Sequence, residues 1–253
     1  MRIVVIGGSG LVGSKVVKLL GEHGHDAVAA SRETGCNVIT GEGLDAAFEG
    51  ADVVVDVSNS PSFADEDVMR FFATSTENQV AAEKKAGVRH HVALSIVGCD
   101  RAPDSGYLRA KVAQEALVEK SDVAYSIVRA TQFFEFVGSI ADLGTDGDTV
   151  RISSAPIQPM AADDVATAVA RAAVGQPVGG IREVAGPDRY QLDDLVRIRL
   201  RAQDDTRRVV TDPQARYAGV VLDDRTLLPA GTATLFDTHF EDWLVDNAVA
   251  PVR

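Results

Sequence analysis

The sequence begins with a short β-branched run that leads directly into spaced glycines and then into a helical pattern. Residues 3–6 (Ile-Val-Val-Ile) suit a parallel strand that is covered on both faces. Apolar residues then recur at helical spacing over residues 11–20. Gly7, Gly10 and Gly13 lie between the two patterns, so they form a strand-to-helix turn. Such a unit predicts an α/β fold built on a parallel sheet.

The three glycines suit a turn that binds a dinucleotide. Gly7 can take the tight backbone turn, Gly10 leaves room for a pyrophosphate to approach, and Gly13 lets the helix pack closely on the sheet. The N–H groups at the helix start, with the helix dipole behind them, would face the phosphates. A glycine turn without a ligand is the alternative. The predicted phosphate-binding residues are Gly7, Ser9, Gly10, Leu11, Val12 and Gly13.

Composition narrows the class of protein further. With 37 acidic against 25 basic side chains, the net charge of −12 offers no electrostatic surface for nucleic acid or an anionic membrane. We therefore predict no direct nucleic-acid or membrane partner. Cys36 and Cys99 follow no disulfide or zinc-ligand spacing, and the start has no signal-peptide pattern, so a cytoplasmic location is expected.

The strand and helix patterns alternate over the first part of the chain and loosen beyond about residue 145. We predict a Rossmann-type doubly wound parallel sheet over residues 1–150, with 155–175 packed on it, and a small C-terminal substrate lobe over 151–253. Predicted strands are 3–6, 26–31, 36–40, 52–57, 88–97 and 124–129, then 149–153, 181–185 and 208–211 in the lobe. Predicted helices are 11–20, 44–48, 75–86, 112–118, 163–174, 192–202 and 236–245.

The end of the second predicted strand bears on the choice of cofactor. An acidic residue there usually bonds the ribose 2′-hydroxyl of NAD, whereas an arginine accommodates the 2′-phosphate of NADP. This chain has Ser31 and Arg32, which favours NADP(H) over NAD, although a solvated turn arginine is an alternative. Ser58 and Asn59 follow the strand at 52–57 and are expected to line the adenosine or ribose, or to form an ordinary loop.

A second motif supplies groups for chemistry. Tyr107 and Lys111 are four residues apart, so they share one face of a helix, and Ser95 ends a strand at the ligand-binding edge. Hydride addition to a carbonyl builds charge on oxygen, which calls for a proton donor and a second hydrogen-bond donor. Tyr107 supplies the proton, Lys111 lowers its pKa and reaches the cofactor ribose, and Ser95 orients the substrate oxygen. His90 and His91 point to opposite faces of a strand, so no metal site is predicted.

The segments LSIVG, GYLRAKVAQE and YSIVRATQFFEF resemble the short-chain dehydrogenase/reductase superfamily, and within it the atypical NmrA-like branch. The resemblance covers about the first 170 residues. It implies the roles given for Ser95, Tyr107 and Lys111. It also places Thr131, Gln132 and Phe133 beside the nicotinamide, with core packing as the alternative for Phe133. The chain lacks the acidic residue that many relatives carry after the third strand.

The sequence thus predicts an NADP(H)-dependent oxidoreductase that reduces a small carbonyl or quinone-type substrate by hydride transfer. A non-catalytic NADP(H)-binding redox sensor of NmrA-like type needs only the glycine turn and Arg32, and remains an alternative. Isomerisation or epimerisation with a tightly held cofactor is a third possibility. A homodimer is compatible with the resemblance.

Overall fold

The computed structural model of this chain describes residues 1–247. The strands are β1 (Arg2–Ile6), β2 (Asp26–Ala30), β3 (Val53–Asp56), β4 (His90–Ile96), β5 (Tyr125–Ala130), β6 (Thr145–Asp146), β7 (Thr149–Ile152), β8 (Pro156–Ile157), β9 (Gly180–Ala185), β10 (Tyr190–Gln191), β11 (Arg208–Thr211), β12 (Arg216–Tyr217), β13 (Val220–Val221) and β14 (Thr234–Leu235). The helices are α1 (Leu11–Glu22), α2 (Leu44–Phe48), α3 (Asp65–Ala86), α4 (Gly106–Glu119), α5 (Val137–Leu143), α6 (Ala162–Val174), α7 (Leu192–Ala202) and α8 (Phe240–Asp246).

Seven parallel strands form the central sheet in the order β14-β9-β5-β4-β3-β1-β2. The predicted doubly wound Rossmann-type fold is therefore confirmed. The chain runs outward in opposite directions from β1, to β2 on one side and to β3 on the other. In open parallel sheets, ligands bind at the carboxyl edge beside such a reversal. This geometry locates the candidate site at the ends of β1, β2 and β3.

Alternating side chains of β1 enter two different apolar layers, because successive residues of a strand face opposite sides. Ile3 and Val5 pack in the layer that contains residues of α1 and α6. Val4 and Ile6 pack in the opposite layer, which contains residues of α2 and α3. Both faces of the strand are thus buried, as its unbroken β-branched run predicts.

The strand predicted over residues 36–40 is not formed. The Asn37 carboxamide oxygen accepts the backbone N–H of Ile39 at 3.0 Å, and the Gly41 N–H donates to the Asn37 carbonyl at 2.9 Å. The Asn78 amide on α3 then donates to the carbonyls of Val38 and Ile39 at 2.9 and 3.0 Å. These bonds satisfy the backbone of the segment locally, so it has no need of a neighbouring strand.

The C-terminal lobe is interleaved with the central sheet. Its own elements include the sheet β11-β7-β6, the pairs β10-β8 and β12-β13, and the helices α5, α7 and α8. Leu195, Phe240 and Trp243 belong to its apolar core. However, α6 packs with α1 and the sheet, and β9 and β14 join the central sheet. Besides α6, which lies in the stretch 155–175 expected on the core, the predicted lobe segment contributes two strands to the central sheet.

Element boundaries agree best where the sequence signals are local. Predicted helices 44–48 and 192–202 coincide with α2 and α7. Helix α3 begins at Asp65 rather than at Ser75, and α8 begins at Phe240 rather than at Phe236. Within residues 1–247, none of the helices is both long enough and apolar enough to span a bilayer.

Candidate cofactor and reaction site

The glycine turn after β1 has no space for a side chain at Gly8 and Gly13, and Gly7 has a left-handed backbone. Gly7 has a φ of +77°, which L-residues with side chains rarely adopt. A Cβ on Gly13 would lie 2.1 Å from the Gly7 carbonyl oxygen, so only glycine lets α1 begin this close to the turn. A Cβ on Gly10 would meet only that carbonyl oxygen, at 3.3 Å. The space predicted beside Gly10 is thus present.

The first turn of α1 presents unpaired donors. Within the described part of the chain, the N–H groups of Leu11, Val12 and Gly13 have no hydrogen-bond acceptor, and no acidic side chain lies in the first turn. Ser9 is exposed beside them, and Val12 is buried in the apolar layer under the turn. The unpaired N–H groups and the positive end of the helix dipole both favour a bound anion at this position. The turn therefore fits the pyrophosphate of a dinucleotide.

The end of β2 lies against the glycine turn, because the Gly7 N–H donates to the Ala30 carbonyl at 2.9 Å. Ser31 and Arg32 follow at once. Ser31 is half-buried, and the exposed side chain of Arg32 makes no hydrogen bond or ion pair with residues 1–247. The Arg32 guanidinium is thus available at the edge where the turn would hold the phosphates.

A buried carboxylate organises the end of β3. Asp56 accepts the Ser58 N–H at 2.9 Å and the Ser58 hydroxyl at 2.6 Å on one oxygen. Its other oxygen accepts the Gln79 amide at 3.1 Å and the Gln114 amide at 2.9 Å. Four donors compensate its desolvation. The Ser58 hydroxyl is consequently used inside the protein, which limits its predicted contact with the adenosine or ribose to its remaining lone pairs.

Tyr107 lies one residue inside the start of α4, and its hydroxyl donates to the Asn59 carboxamide oxygen at 3.2 Å. Its ring packs against those of Phe63 and Phe72, with centroids 5.7 and 5.9 Å away. Burial raises the pKa of Tyr107 to about 12, against a smaller lowering by Asn59. Lys111 is not among the groups that shift it, so the predicted lowering of the phenol pKa by the ammonium is not found.

Lys111 is buried one turn further along α4. Its Nζ donates to the Leu94 carbonyl at 2.8 Å and to the Gln114 carboxamide oxygen, and it lies 4.4 Å from the centroid of the Phe72 ring. Because Tyr107 contacts the same ring, the two side chains do share one face of the helix. Burial lowers the pKa of Lys111 to about 8, while Asp56 is the leading group that opposes this shift.

Ser95, predicted to orient the substrate oxygen, has its hydroxyl bonded inside the protein. Its hydroxyl donates to Glu115 at 2.5 Å and is buried. Glu115 also accepts the Arg129 Nε at 2.8 Å and Nη2 at 2.6 Å. Ser95 pairs with Arg129 across β4 and β5, so both side chains reach the same carboxylate on α4. The single hydroxyl proton of Ser95 is thereby committed to a structural bond and is not free to orient a substrate oxygen.

The segment after β5 brings further polar groups to the carboxyl edge. Thr131 and Gln132 are buried, and within residues 1–247 the Thr131 hydroxyl and the Gln132 carboxamide oxygen have no hydrogen-bond partner. Phe133 packs against Phe136 with centroids 5.5 Å apart and also joins the apolar layer of α1 and α6. Core packing therefore describes part of the surroundings of Phe133, and its place beside the nicotinamide stays a prediction.

The two adjacent histidines lie on opposite faces of β4, as their spacing predicts. His90 Nε2 lies 2.9 Å from the Ser126 hydroxyl, and burial lowers the pKa of His90 to about 4. His91 Nδ1 lies 2.6 Å from Glu83, in a fully buried pair. Each ring has its own protein partner under the sheet.

Asp56, Gln114 and Glu115 hold the site together and were not predicted from the sequence. Gln114 and Glu115 stand in the segment GYLRAKVAQE, next to Lys111, and Asp56 ends a predicted strand. Polar residues at those positions are a signal from which a structural role could have been predicted. The residues that they bond, however, come from distant parts of the chain, so the bonds themselves could not be predicted.

A family model described as NAD(P)H-binding matches residues 7–174, which is more than half of the chain. The chain belongs to this NAD(P)H-binding family. The matched range begins at the first glycine of the turn and includes Arg32, Tyr107 and Lys111. The nicotinamide cofactor predicted from the glycine turn is thus confirmed at the level of NAD(P)H.

Curated relatives of this NAD(P)H-binding protein are matched over only part of their own length. It is 30% identical over 179 residues to the chloroplastic divinyl chlorophyllide a 8-vinyl-reductase of Arabidopsis thaliana, covering 58% of this chain and 43% of that protein. It is 26% identical over 189 residues to the photosystem II assembly factor Ycf39 of Synechocystis sp., covering 68% of this chain and 58% of that protein. The chain therefore spans about half the length of these relatives.

Solved structures share the fold at low identity. A dTDP-4-dehydrorhamnose reductase from Clostridium acetobutylicum superimposes with a TM-score of 0.74 at 18% identity, covering 97% of this chain and 99% of that one. An NADPH-dependent quinone oxidoreductase of Escherichia coli, complexed with NADPH, gives a TM-score of 0.67 at 19% identity, covering 83% and 78%. The NAD(P)H-binding protein thus has the α/β architecture of reductases.

Proposed function

We propose that this protein is an NADP(H)-dependent oxidoreductase that reduces a small carbonyl or quinone-type substrate by hydride transfer. The observation that carries the proposal is the segment Ser58–Asn59. A Cβ on Gly7 would lie 3.0 Å from the Ser58 Cα, and the neighbouring Asn59 accepts the Tyr107 hydroxyl at 3.2 Å. The phosphate-binding turn and the candidate proton donor therefore lie on either side of one short segment at the carboxyl edge.

The protonation state of Tyr107 suits reduction. The bound nicotinamide cofactor would supply the hydride, and charge would then develop on the substrate oxygen. A phenol with a pKa of about 12 is protonated at neutral pH, so Tyr107 can donate its proton to that oxygen and regain one from solvent. Lys111, whose Nζ is held by Leu94 and Gln114, is assigned to the cofactor ribose rather than to the phenol.

The preference for NADP(H) over NAD(H) rests on Arg32. The side chain is exposed, without a partner in residues 1–247, and follows the strand whose end contacts the glycine turn. An arginine placed there accommodates a 2′-phosphate through charge-assisted hydrogen bonds. The relatives named as an NADPH-dependent quinone oxidoreductase and as a vinyl-reductase support the wider class of reductases.

The decisive experiment scans quinones and carbonyl compounds for NADPH oxidation by the wild type and by Tyr107→Phe. Loss of the proton donor is expected to lower kcat about 100-fold or more while the Kd for NADPH stays unchanged. Tyr125→Phe, at the opposite edge of the sheet, serves as the matched control. Equal turnover by Tyr107→Phe and wild type would contradict the role of Tyr107.

Cofactor choice is tested separately by Arg32→Ala. Loss of the Arg32 guanidinium is expected to raise the Kd for NADPH about 10- to 100-fold. This corresponds to the roughly 1.5–3 kcal/mol that hydrogen bonds to a charged group contribute. NADH, which lacks the 2′-phosphate, should bind the variant and the wild type alike. Fluorescence titrations with NADPH and NADH measure both Kd values. Equal losses of affinity for the two cofactors would contradict a contact between Arg32 and the 2′-phosphate.

A non-catalytic NADP(H)-binding sensor is the second candidate, and two observations favour it. Ser95 is tied to Glu115, and Lys111 does not lower the pKa of Tyr107, so two expected catalytic effects are missing. A sensor would bind NADPH with micromolar affinity, oxidise none of it with any substrate in the scan, and show no change in Tyr107→Phe. A cytoplasmic location, a homodimer and membership of the NmrA-like branch stay predictions.

A further inference from the structure

The hairpin β12-β13 of the lobe presents Tyr217 at its tip. Tyr217 pairs with Val220 across a two-residue turn formed by Ala218 and Gly219. These residues have φ values of +47° and +87°, which is the backbone of the tightest hairpin turns. Alanine in the left-handed region costs about 1–2 kcal/mol. The hairpin thus retains a strained residue directly beside Tyr217, and such strain clusters at functional sites.

The segment that follows this hairpin is fastened to the core beside Tyr107. A Cβ on Gly98, after β4, would lie 1.8 Å from the Thr226 carbonyl oxygen, so the two backbones are in direct contact. Arg101 donates to the Leu228 carbonyl. Val220, from the hairpin itself, is buried in the same apolar cluster as Leu108 of α4. The position of the hairpin relative to α4 is therefore fixed by packing.

Tyr217 and Tyr107 both border this junction. Both half-buried rings pack against the same apolar cluster. Gln132 is one of the groups that act on the Tyr217 phenol, lowering its pKa against the effect of burial, and the Gln132 carboxamide oxygen is buried with no partner in residues 1–247. Burial, followed by the nearby Tyr107, raises the pKa of Tyr217, so its phenol is protonated at neutral pH. The site thus contains two phenol donors and one unused buried acceptor.

We propose that Tyr217 is the second hydroxyl of the reaction site and orients the substrate oxygen toward Tyr107, the task predicted for Ser95. This inference rests on the proposed function. Tyr217 donates one hydrogen bond to the carbonyl oxygen while Tyr107 donates the other and transfers its proton. The exposed Phe63 ring against Tyr107 extends the aromatic wall, which selects planar conjugated carbonyls such as quinones.

The test compares wild type, Tyr217→Phe and the control Tyr125→Phe with 9,10-phenanthrenequinone as the probe. Steady-state NADPH oxidation gives kcat and KM, fluorescence quenching in the presence of NADP⁺ gives the Kd for the quinone without turnover, and thermal melting checks folding. Loss of one oriented donor is expected to lower kcat about 10- to 100-fold and to weaken quinone binding, with the Kd for NADPH unchanged.

The two readouts separate this inference from the proposed function. Quinone binding that needs Tyr217, without NADPH oxidation in the wild type, would support the contact and defeat the reductase activity. Turnover with kcat and quinone Kd equal in wild type and Tyr217→Phe would support the reductase and overturn the role of Tyr217. Absence of quinone binding by the wild type would overturn it as well.

Discussion

The candidate site has a phosphate end at the glycine turn and a reaction end around Tyr107. The two ends are formed by different parts of the protein. The phosphate end is main chain from one stretch of seven residues, Gly7 to Gly13, and depends on the absence of side chains. The proposed reaction end consists of side chains from distant segments, such as Asn59 and Tyr107, and of Lys111, which a buried polar network holds. The phosphate end depends on the absence of a side chain at Gly13, whereas the reaction end depends on the partners of each group.

Gly13→Ala should have the largest effect, because its Cβ would lie 2.1 Å from the Gly7 carbonyl oxygen, an atom that has no freedom to move away. We expect NADPH binding to weaken by about 100-fold or more, as displacement of a positioning group by 1 Å costs that much. Gly21→Ala is the matched control on the same helix, since nothing lies within 4 Å of its added Cβ. It should gain about 0.5–1 kcal/mol of stability. Equal NADPH binding by Gly13→Ala and the wild type would show that the phosphate end does not depend on the absence of a side chain at this position.

Glu115→Ala tests the reaction end. It leaves Arg129 buried with only Asp100 as a charged partner, at 2.7 Å, and loses the bond to Ser95. Removal of one member of a buried pair costs about 3–5 kcal/mol in the free energy of unfolding, measured by urea denaturation. Glu22→Ala, which breaks the exposed pair with Lys18 at 3.9 Å, should leave stability unchanged. Similar losses of stability in both variants would show that the buried ion pair contributes no more than the exposed one.

Ser95→Ala distinguishes a structural from a catalytic serine. Its hydroxyl bond to Glu115 predicts a loss of about 1 kcal/mol in stability, because Glu115 keeps both bonds to Arg129. The kcat for any substrate found by the scan should stay at the wild-type value. A large fall in kcat with unchanged stability would return Ser95 to the role predicted from sequence.

The effect of Lys111→Met depends on pH. The pKa of Lys111 falls from 10.5 in the unfolded chain to about 8 in the fold. Between these values the unfolded chain binds one more proton, so stability rises with pH in the wild type by up to about 1.4 kcal/mol per unit. The methionine variant lacks this slope. Denaturation curves at pH 8, 9 and 10 measure the difference, and parallel pH profiles would contradict the lowered pKa.

The contrast between the phosphate end and the reaction end also explains which features could be predicted from the sequence. Strand, glycine turn and helix over residues 1–22 are encoded by neighbours, and so are α2 and α7, whose predicted bounds match the structure. The pair Tyr107 and Lys111 was predictable because helical spacing places both on one face. The capture of Ser95 by Glu115 depends on strand pairing between β4 and β5, which no local pattern encodes.

Tyr217 was also beyond local reasoning. It belongs to the two-residue strand β12, in a part of the chain with little periodicity. The position of its hairpin depends on the contact of Thr226 with Gly98 across more than a hundred residues. The prediction for residues 36–40 failed for the opposite reason, since the apolar pair Val38 and Ile39 is typical of a strand although Asn37 closes a turn there.

The return of the chain to the central sheet in β14 makes the lobe an insertion whose two ends are both anchored. Thr234 and Leu235 pair with Val184 and Ala185 of β9, the strand that precedes most of the lobe. A proteolytic cut between the two strands, with loss of the C-terminal fragment, would bare the backbone edge of β9 as a template for pairing with other chains. Nicked or incomplete molecules are therefore expected to aggregate rather than persist as a free cofactor-binding core.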